Sequence, residues 1–167
     1  MRTHFIAAFA VLVFLCSLVE ARPVGVWSYQ LLVEQSDLVL IGNVDATRAF
    51  DEKLEQSPFS DILDGRLTIF KVESVLKGKA PGEKIDLVHF LVNTKKPVIN
   101  GPLPAHFIDR DRRTTISSID GVEVRQERLE PRPSYLLFLK ARPDGRFEPV
   151  TGQVDSSFSA RKVTPAD

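Results

Sequence analysis

Cysteine is almost missing from this 167-residue chain: the single one, Cys16, sits inside an apolar N-terminal run. If that run is removed, no disulfide can form and no thiolate is on offer as nucleophile or metal ligand, so the fold must rest on packing alone. An excess of charge of one sign is missing too. Lys plus Arg (22) equals Asp plus Glu (22), and a neutral surface exerts little long-range pull on phosphate backbones. Aromatics suited to stacking on bases are few: one tryptophan, two tyrosines, and eleven phenylalanines that fall mostly in the N-terminal run or at core-like positions. Nucleic acid is therefore not expected as a partner. The apolar run from Phe5 to Leu15 is interrupted by Cys16, Ser17 and Glu20. It stops short of the roughly 20 residues that a helix needs to cross a bilayer, so no stable membrane span is expected.

What the N-terminus does have is the grammar of export. Arg2 and His4 precede the apolar run, and Val19-Glu20-Ala21 supplies a site for a signal peptidase. Residues 1–21 are expected to be a secretory signal peptide cleaved after Ala21, leaving residues 22–167 as one secreted or periplasmic domain. Trimming removes Arg2 and Glu20 and leaves 21 cationic against 21 acidic residues. Cys16 would be a lipid anchor only if retained and acylated. Leu15 before it is bulky where such a signal wants a small residue, which favours an ordinary apolar role. A domain of about 150 residues buries about 68–70% of its unfolded surface, enough for a core without disulfides.

Along the remaining chain, Trp27, Leu31, Leu32 and Gln35 recur at helical spacing, with Ser28 placed to cap and Ser36-Asp37 to stop a short helix. From Leu38 to Val44 the pattern becomes that of a strand, with Gly42 marking a bulge or bend. Residues 49–65 mix acids with Ser57-Pro58 and Asp64-Gly65 and are expected to form a loop. A second strand over 67–78 puts Thr68, Phe70, Val72, Ser74 and Leu76 on one face. The turn Lys77–Gly82 leads to a third, Lys84 to Val92, apolar on both faces as a covered strand is.

Asn93 to Arg113 contains three prolines and the run Asp109-Arg110-Asp111-Arg112-Arg113 and is expected to be a long mobile loop. Asp120-Gly121 then suggests a hairpin between Ser118 and Val124. Tyr135 to Lys140, turned by Pro143-Asp144-Gly145 into Arg146–Val150, is a second one. The fold class expected is mainly β, an OB-like closed or partly open barrel with one short N-terminal helix. Phe70, Val72, Leu76, Leu137 and Leu139 are expected in its core.

These strands also resemble the netrin-module and tissue-inhibitor-of-metalloproteinases class of OB-fold domains. The matching positions are Val39, Gly42 and Val44 in the first strand, Phe70, Val72, Val75, Lys77 and Gly78 in the second, and Tyr135, Leu136 and Phe138 late in the chain. The resemblance implies the barrel. Inhibitory members of that class chelate zinc through an N-terminal cysteine, and the expected mature start here is Arg22-Pro23, so the resemblance does not bring inhibition with it.

No set of residues forms a catalytic signature. His89, His106, Asp109 and Asp111 are of ligand type, but no His-x-His or H-E-x-x-H pairing places two of them together. The G-x-S-x-G elbow of serine hydrolases is absent, and Ser156, Ser157 and Ser159 read as edge or tail residues. Asp45, Asp51, Glu52, Asp61 and Asp64 read as solvated loop carboxylates. The arginines between Arg110 and Arg132 alternate with acids, as on a salt-bridged surface.

The function expected is that of a non-catalytic barrel without a cofactor, binding a secreted or envelope protein or another envelope component. The binding loop would carry His106, Asp109, Arg110, Asp111, Arg112 and Arg113. The alternative is a secreted metal-dependent hydrolase using His89 or His106, which predicts metal in the purified protein.

Overall fold

Seven residues, Tyr29–Gln35, have the capping they need to form a helix (α1). The Ser28 side chain accepts a hydrogen bond from the Leu31 amide, and Ser36 ends the helix. Its last carbonyls are satisfied from elsewhere in the chain. Lys77 Nζ donates to the carbonyls of Val33, Glu34 and Ser36 at 2.7, 3.2 and 2.6 Å, a cation placed where the helix dipole is negative. The computed structural model describes residues 25–55, 57–93, 95, 101–108, 112–119, 122–129 and 132–163, with backbone pairing alone for 112–119 and 122–129. The expected signal peptide and its cleavage point lie outside the described residues. Among the described residues no helix is long and apolar enough to cross a membrane.

The strands are β1 (Leu38–Ala49), β2 (Leu63–Lys77), β3 (Lys84–Val92), β4 (Arg112–Ile119), β5 (Val122–Leu129), β6 (Ser134–Ala141), β7 (Phe147–Pro149) and β8 (Ala160–Val163). Five of them close a barrel in the order β1-β2-β3-β7-β6, with β6 pairing back onto β1 and β8 adding to β6. That is the OB-like barrel expected from the alternation. The β1–β6 ladder runs from Leu38↔Leu139 to Asn43↔Ser134, whereas β3 and β7 are parallel and meet at one pair, Leu87↔Phe147.

Alternate residues fill the interior: Leu38, Leu40, Val44, Phe70, Ile85, Leu87, Tyr135, Leu137, Leu139 and Phe147 form one buried cluster. A second cluster lies on the outer face of β1 and β6, where Leu32 of α1 packs with Val39, Phe138 and Val150, and Trp27 and Leu136 close its margin. The bulge expected at Gly42 is present as a register shift between Ile41 and Gly42. At Gly78, with φ +80°, the backbone passes against the Asp37 carbonyl. Only glycine fits there, and the close approach brings Lys77 under α1.

Several expectations need correction. Phe70, Leu137 and Leu139 are buried and Val72 is half-buried, but Leu76 is 58% exposed. β2 pairs with β3 only as far as Lys71↔Lys84. Past one further backbone hydrogen bond, from the Val72 amide to the Glu83 carbonyl at 2.9 Å, it runs on beside β1, and shifts at Val39/Leu40 and Ile41/Gly42 re-phase the ladder, so one alternation cannot hold from Thr68 to Leu76. The loop expected over 49–65 is shorter, because β1 continues to Ala49 and β2 begins at Leu63. Ser156 and Ser159 are buried rather than edge residues. They lie in a 3-10 turn, Ser156–Ser159. Ser156 Oγ accepts from the Ala105 amide at 2.8 Å, and Ser159 Oγ from the Thr151 amide at 2.9 Å.

Candidate functional site

Between β3 and β6 the chain leaves the barrel for an insertion with two unlike parts. The first part, 101–108, is built into the wall. Leu103 exchanges backbone hydrogen bonds with Val154 and Ser157, both at 2.9 Å, and Ala105 and Pro102 are buried. Phe107 reaches the aromatic group at the barrel end, edge-on to Phe70, His89 and Tyr135 with ring centroids 5.0, 5.0 and 5.2 Å away. Tyr135 Oη accepts the Ile108 amide at 3.1 Å. The mobile loop expected over Asn93–Arg113 is thus, over 101–108, a fastened segment. Apolar residues at 103, 105 and 107 carried that signal, which the neighbouring prolines masked.

The second part is the β4–β5 hairpin. Its ladder runs from Arg112↔Leu129 to Ile119↔Val122, as the Asp-Gly pair suggested, and among the described residues it joins no other strand. Residues 120 and 121 fall outside the described set. Of the expected binding residues, His106 is exposed on the fastened segment, Arg112 and Arg113 open β4 rather than lie in a loop, and Asp109, Arg110 and Asp111 lie outside the described residues.

His89 belongs to the interior. It is 1% exposed, and its Nε2 is 2.8 Å from Thr68 Oγ1, which is in turn 2.9 Å from Thr47 Oγ1. Among the described residues Nδ1 has no hydrogen-bond partner of good geometry. Burial pushes this imidazole from 6.5 down to about 4; the Phe90 backbone resists the shift, while Arg66 and His106 add to it. His89 is therefore neutral near pH 7 and walled off by Phe107 from anything outside. Among the described residues no group of three or more His, Cys, Asp or Glu side chains is placed to hold a metal ion.

At the β1–β2 connection a cleft of about 730 Å³ is lined by residues 49–55, 60–61 and 63–66. Asp51, Glu52, Glu55, Asp61 and Asp64 outnumber Lys53 and Arg66 along it, a charge balance unfavourable to a phosphate backbone. Glu52 is held by a bidentate pair with Arg142 at 3.0 and 2.9 Å, and Arg142 also faces Asp144 and Glu148. Partial burial opposes the Arg142 charge, but the Glu52 hydrogen bond and the three carboxylates more than offset it and raise its pKa above the usual value. Asp45, expected in a loop, is on β1. Lys84 Nζ donates to it at 2.7 Å, and this contact first of all, with Arg132 nearby, holds its carboxyl below the ordinary range.

Sequence reasoning missed Phe107, the Thr47–Thr68–His89 chain and the Arg142–Glu52 pair, since each joins residues 18 or more positions apart in the chain. No family model matches the chain, and no curated protein or solved structure matches it.

Proposed function

We propose that this chain is a secreted or periplasmic recognition module: a rigid OB-like barrel that binds a protein or envelope component through its β3–β6 insertion and performs no chemistry of its own. One observation carries the reading. The insertion is fastened to the barrel over 101–108 and also carries a hairpin that, among the described residues, pairs with no other strand. A rigid scaffold carrying an inserted loop or hairpin is a usual arrangement for recognition. The netrin-module resemblance agrees with such a role without naming a partner, and fold alone does not decide function.

The test is a pull-down from the exported fraction with the mature protein and with a version in which residues 112–129 are replaced by a short Gly/Ser linker. Loss of specific partners from the second version is expected. Equal recovery of every partner overturns the assignment to the insertion.

A further inference from the structure

A neutral imidazole carries one donor and one acceptor, and a second proton turns both nitrogens into donors on a charged ring. At His89 only one nitrogen is provided for. Nε2 meets Thr68 Oγ1 at 2.8 Å, while Nδ1, in a side chain that is 1% exposed, has no hydrogen-bond partner of good geometry among the described residues. Burial is the main force against a charge here, and it outweighs the Phe90 backbone, which favours one. Arg66 from β2 and His106 from the 101–108 segment also oppose a proton, and no carboxylate is among the groups acting on the ring. β1 and β6 offer only hydroxyls at one remove, Thr47 through Thr68 and Tyr135 through Phe107.

A proton on this ring is therefore an unpaired charge in an apolar interior, and water is its cheapest relief. The water must pass whatever covers the ring. On one side stand β2 and β1, where Thr68 lies in the ladder from Leu63↔Val92 to Lys71↔Lys84 and also pairs with Thr47. Opening there breaks the barrel. On the other side stands Phe107, edge-on to His89 with ring centroids 5.0 Å apart, in a segment that belongs to no strand. That segment is held at separate points: Leu103 to Val154 and Ser157, the Ala105 amide to Ser156 Oγ, and the Ile108 amide to Tyr135 Oη. Such a segment opens locally at lower cost than a continuous ladder.

We infer that His89 and Phe107 form an acid-operated latch: a proton on the His89 imidazole drives Phe107 out of the barrel end and frees the 101–108 segment while the barrel stays closed. With the latch open the imidazole is hydrated and accepts the proton that the closed form refuses, so acid favours opening. For an ordinary 6.5 in the open form against about 4 in the closed one, opening should be about twentyfold more frequent at pH 5 than at pH 7. The device does not depend on what the insertion binds. The recognition reading can fail and leave it standing.

The test follows amide hydrogen exchange in the mature chain at pH 7 and pH 5, with rates corrected for the intrinsic effect of pH. The amides of Leu103, Ala105 and Ile108 report the latch, and those of the β1–β6 ladder report the barrel. Protection at the first three is expected to fall about twentyfold while the ladder holds. His89→Gln, a polar side chain that does not titrate, should remove this pH dependence, and His106→Gln should leave it in place. A second measurement keeps His89 itself. His89 and His106 are the histidines of residues 22–167, so their imidazole resonances can be titrated and assigned with His106→Gln. Phe107→Ala should then move the His89 titration from about 4 toward 6.5.

Unchanged protection at the three amides, equal loss across the ladder, or the same pH response in His89→Gln would each overturn the inference. So would abolition of the response by His106→Gln, or a His89 titration that Phe107→Ala leaves where it was.

Discussion

At the residue scale the sharpest consequence belongs to His89. Its folded-state pKa of about 4 lies below the ordinary 6.5, so between those values the unfolded chain takes up a proton that the folded one refuses. Stability contributed by the neutral imidazole is whole above pH 6.5, falls as the pH drops toward 4, and levels off below that, for a total loss of at most about 3 kcal/mol. Denaturant titrations at several pH values should show this slope, and His89→Phe should flatten it. A second contrast separates buried from merely apolar. Leu137→Ala, at a site with no exposure, should cost about 2–5 kcal/mol, whereas Leu76→Ala should stay within about 0.5 kcal/mol; thermal melts of both variants check it. Leu137 was legible because its whole strand keeps one alternation. Leu76 was not, because the bulges that re-phase its ladder depend on which strand lies alongside, and that is settled only in three dimensions.

At the scale of elements, α1 shows how much local chemistry a sequence can disclose. The cap at Ser28 and the stop at Ser36 were readable from spacing, since capping needs only residues three or four apart. Lys77, 41 positions beyond Ser36, was not readable as the helix's other cap. Ser28→Ala should lower stability by about 1 kcal/mol. Lys77→Met, which keeps the aliphatic stem and removes the charge, should loosen the C-terminal turn of α1, seen as faster amide exchange over Val33 to Ser36 with the β1–β6 ladder unchanged. The same limit of range explains the insertion. Its hairpin was legible from one Asp-Gly pair. The anchoring of 101–108 depends on Val154, Ser156 and Tyr135, which follow much later in the chain.

For the whole molecule, barrel and hairpin should prove energetically separable. Among the described residues the β4–β5 ladder shares no pairing with the barrel sheet, so replacing 112–129 with a linker should move the melting temperature by no more than a few degrees, as calorimetry can read. Arg142 acts in the opposite sense, since it ties the β1–β2 connection, through Glu52, to the β6–β7 turn, through Asp144. Arg142→Ala should cost about 1 kcal/mol, and less in high salt. The wall itself is unevenly laced. Three of its seams are long, with Val39↔Lys77 to Ala49↔Arg66 along the first, Leu63↔Val92 to Lys71↔Lys84 along the second and Leu38↔Leu139 to Asn43↔Ser134 along the third, yet β3 and β7 hold hands at a single rung. Gln153 reaching to the Val88 carbonyl at 3.2 Å acts there as a stitch laid across a gap. Under heat or denaturant the cylinder should part along this line first and unroll into a curved sheet hinged on β1, long before its other seams give way.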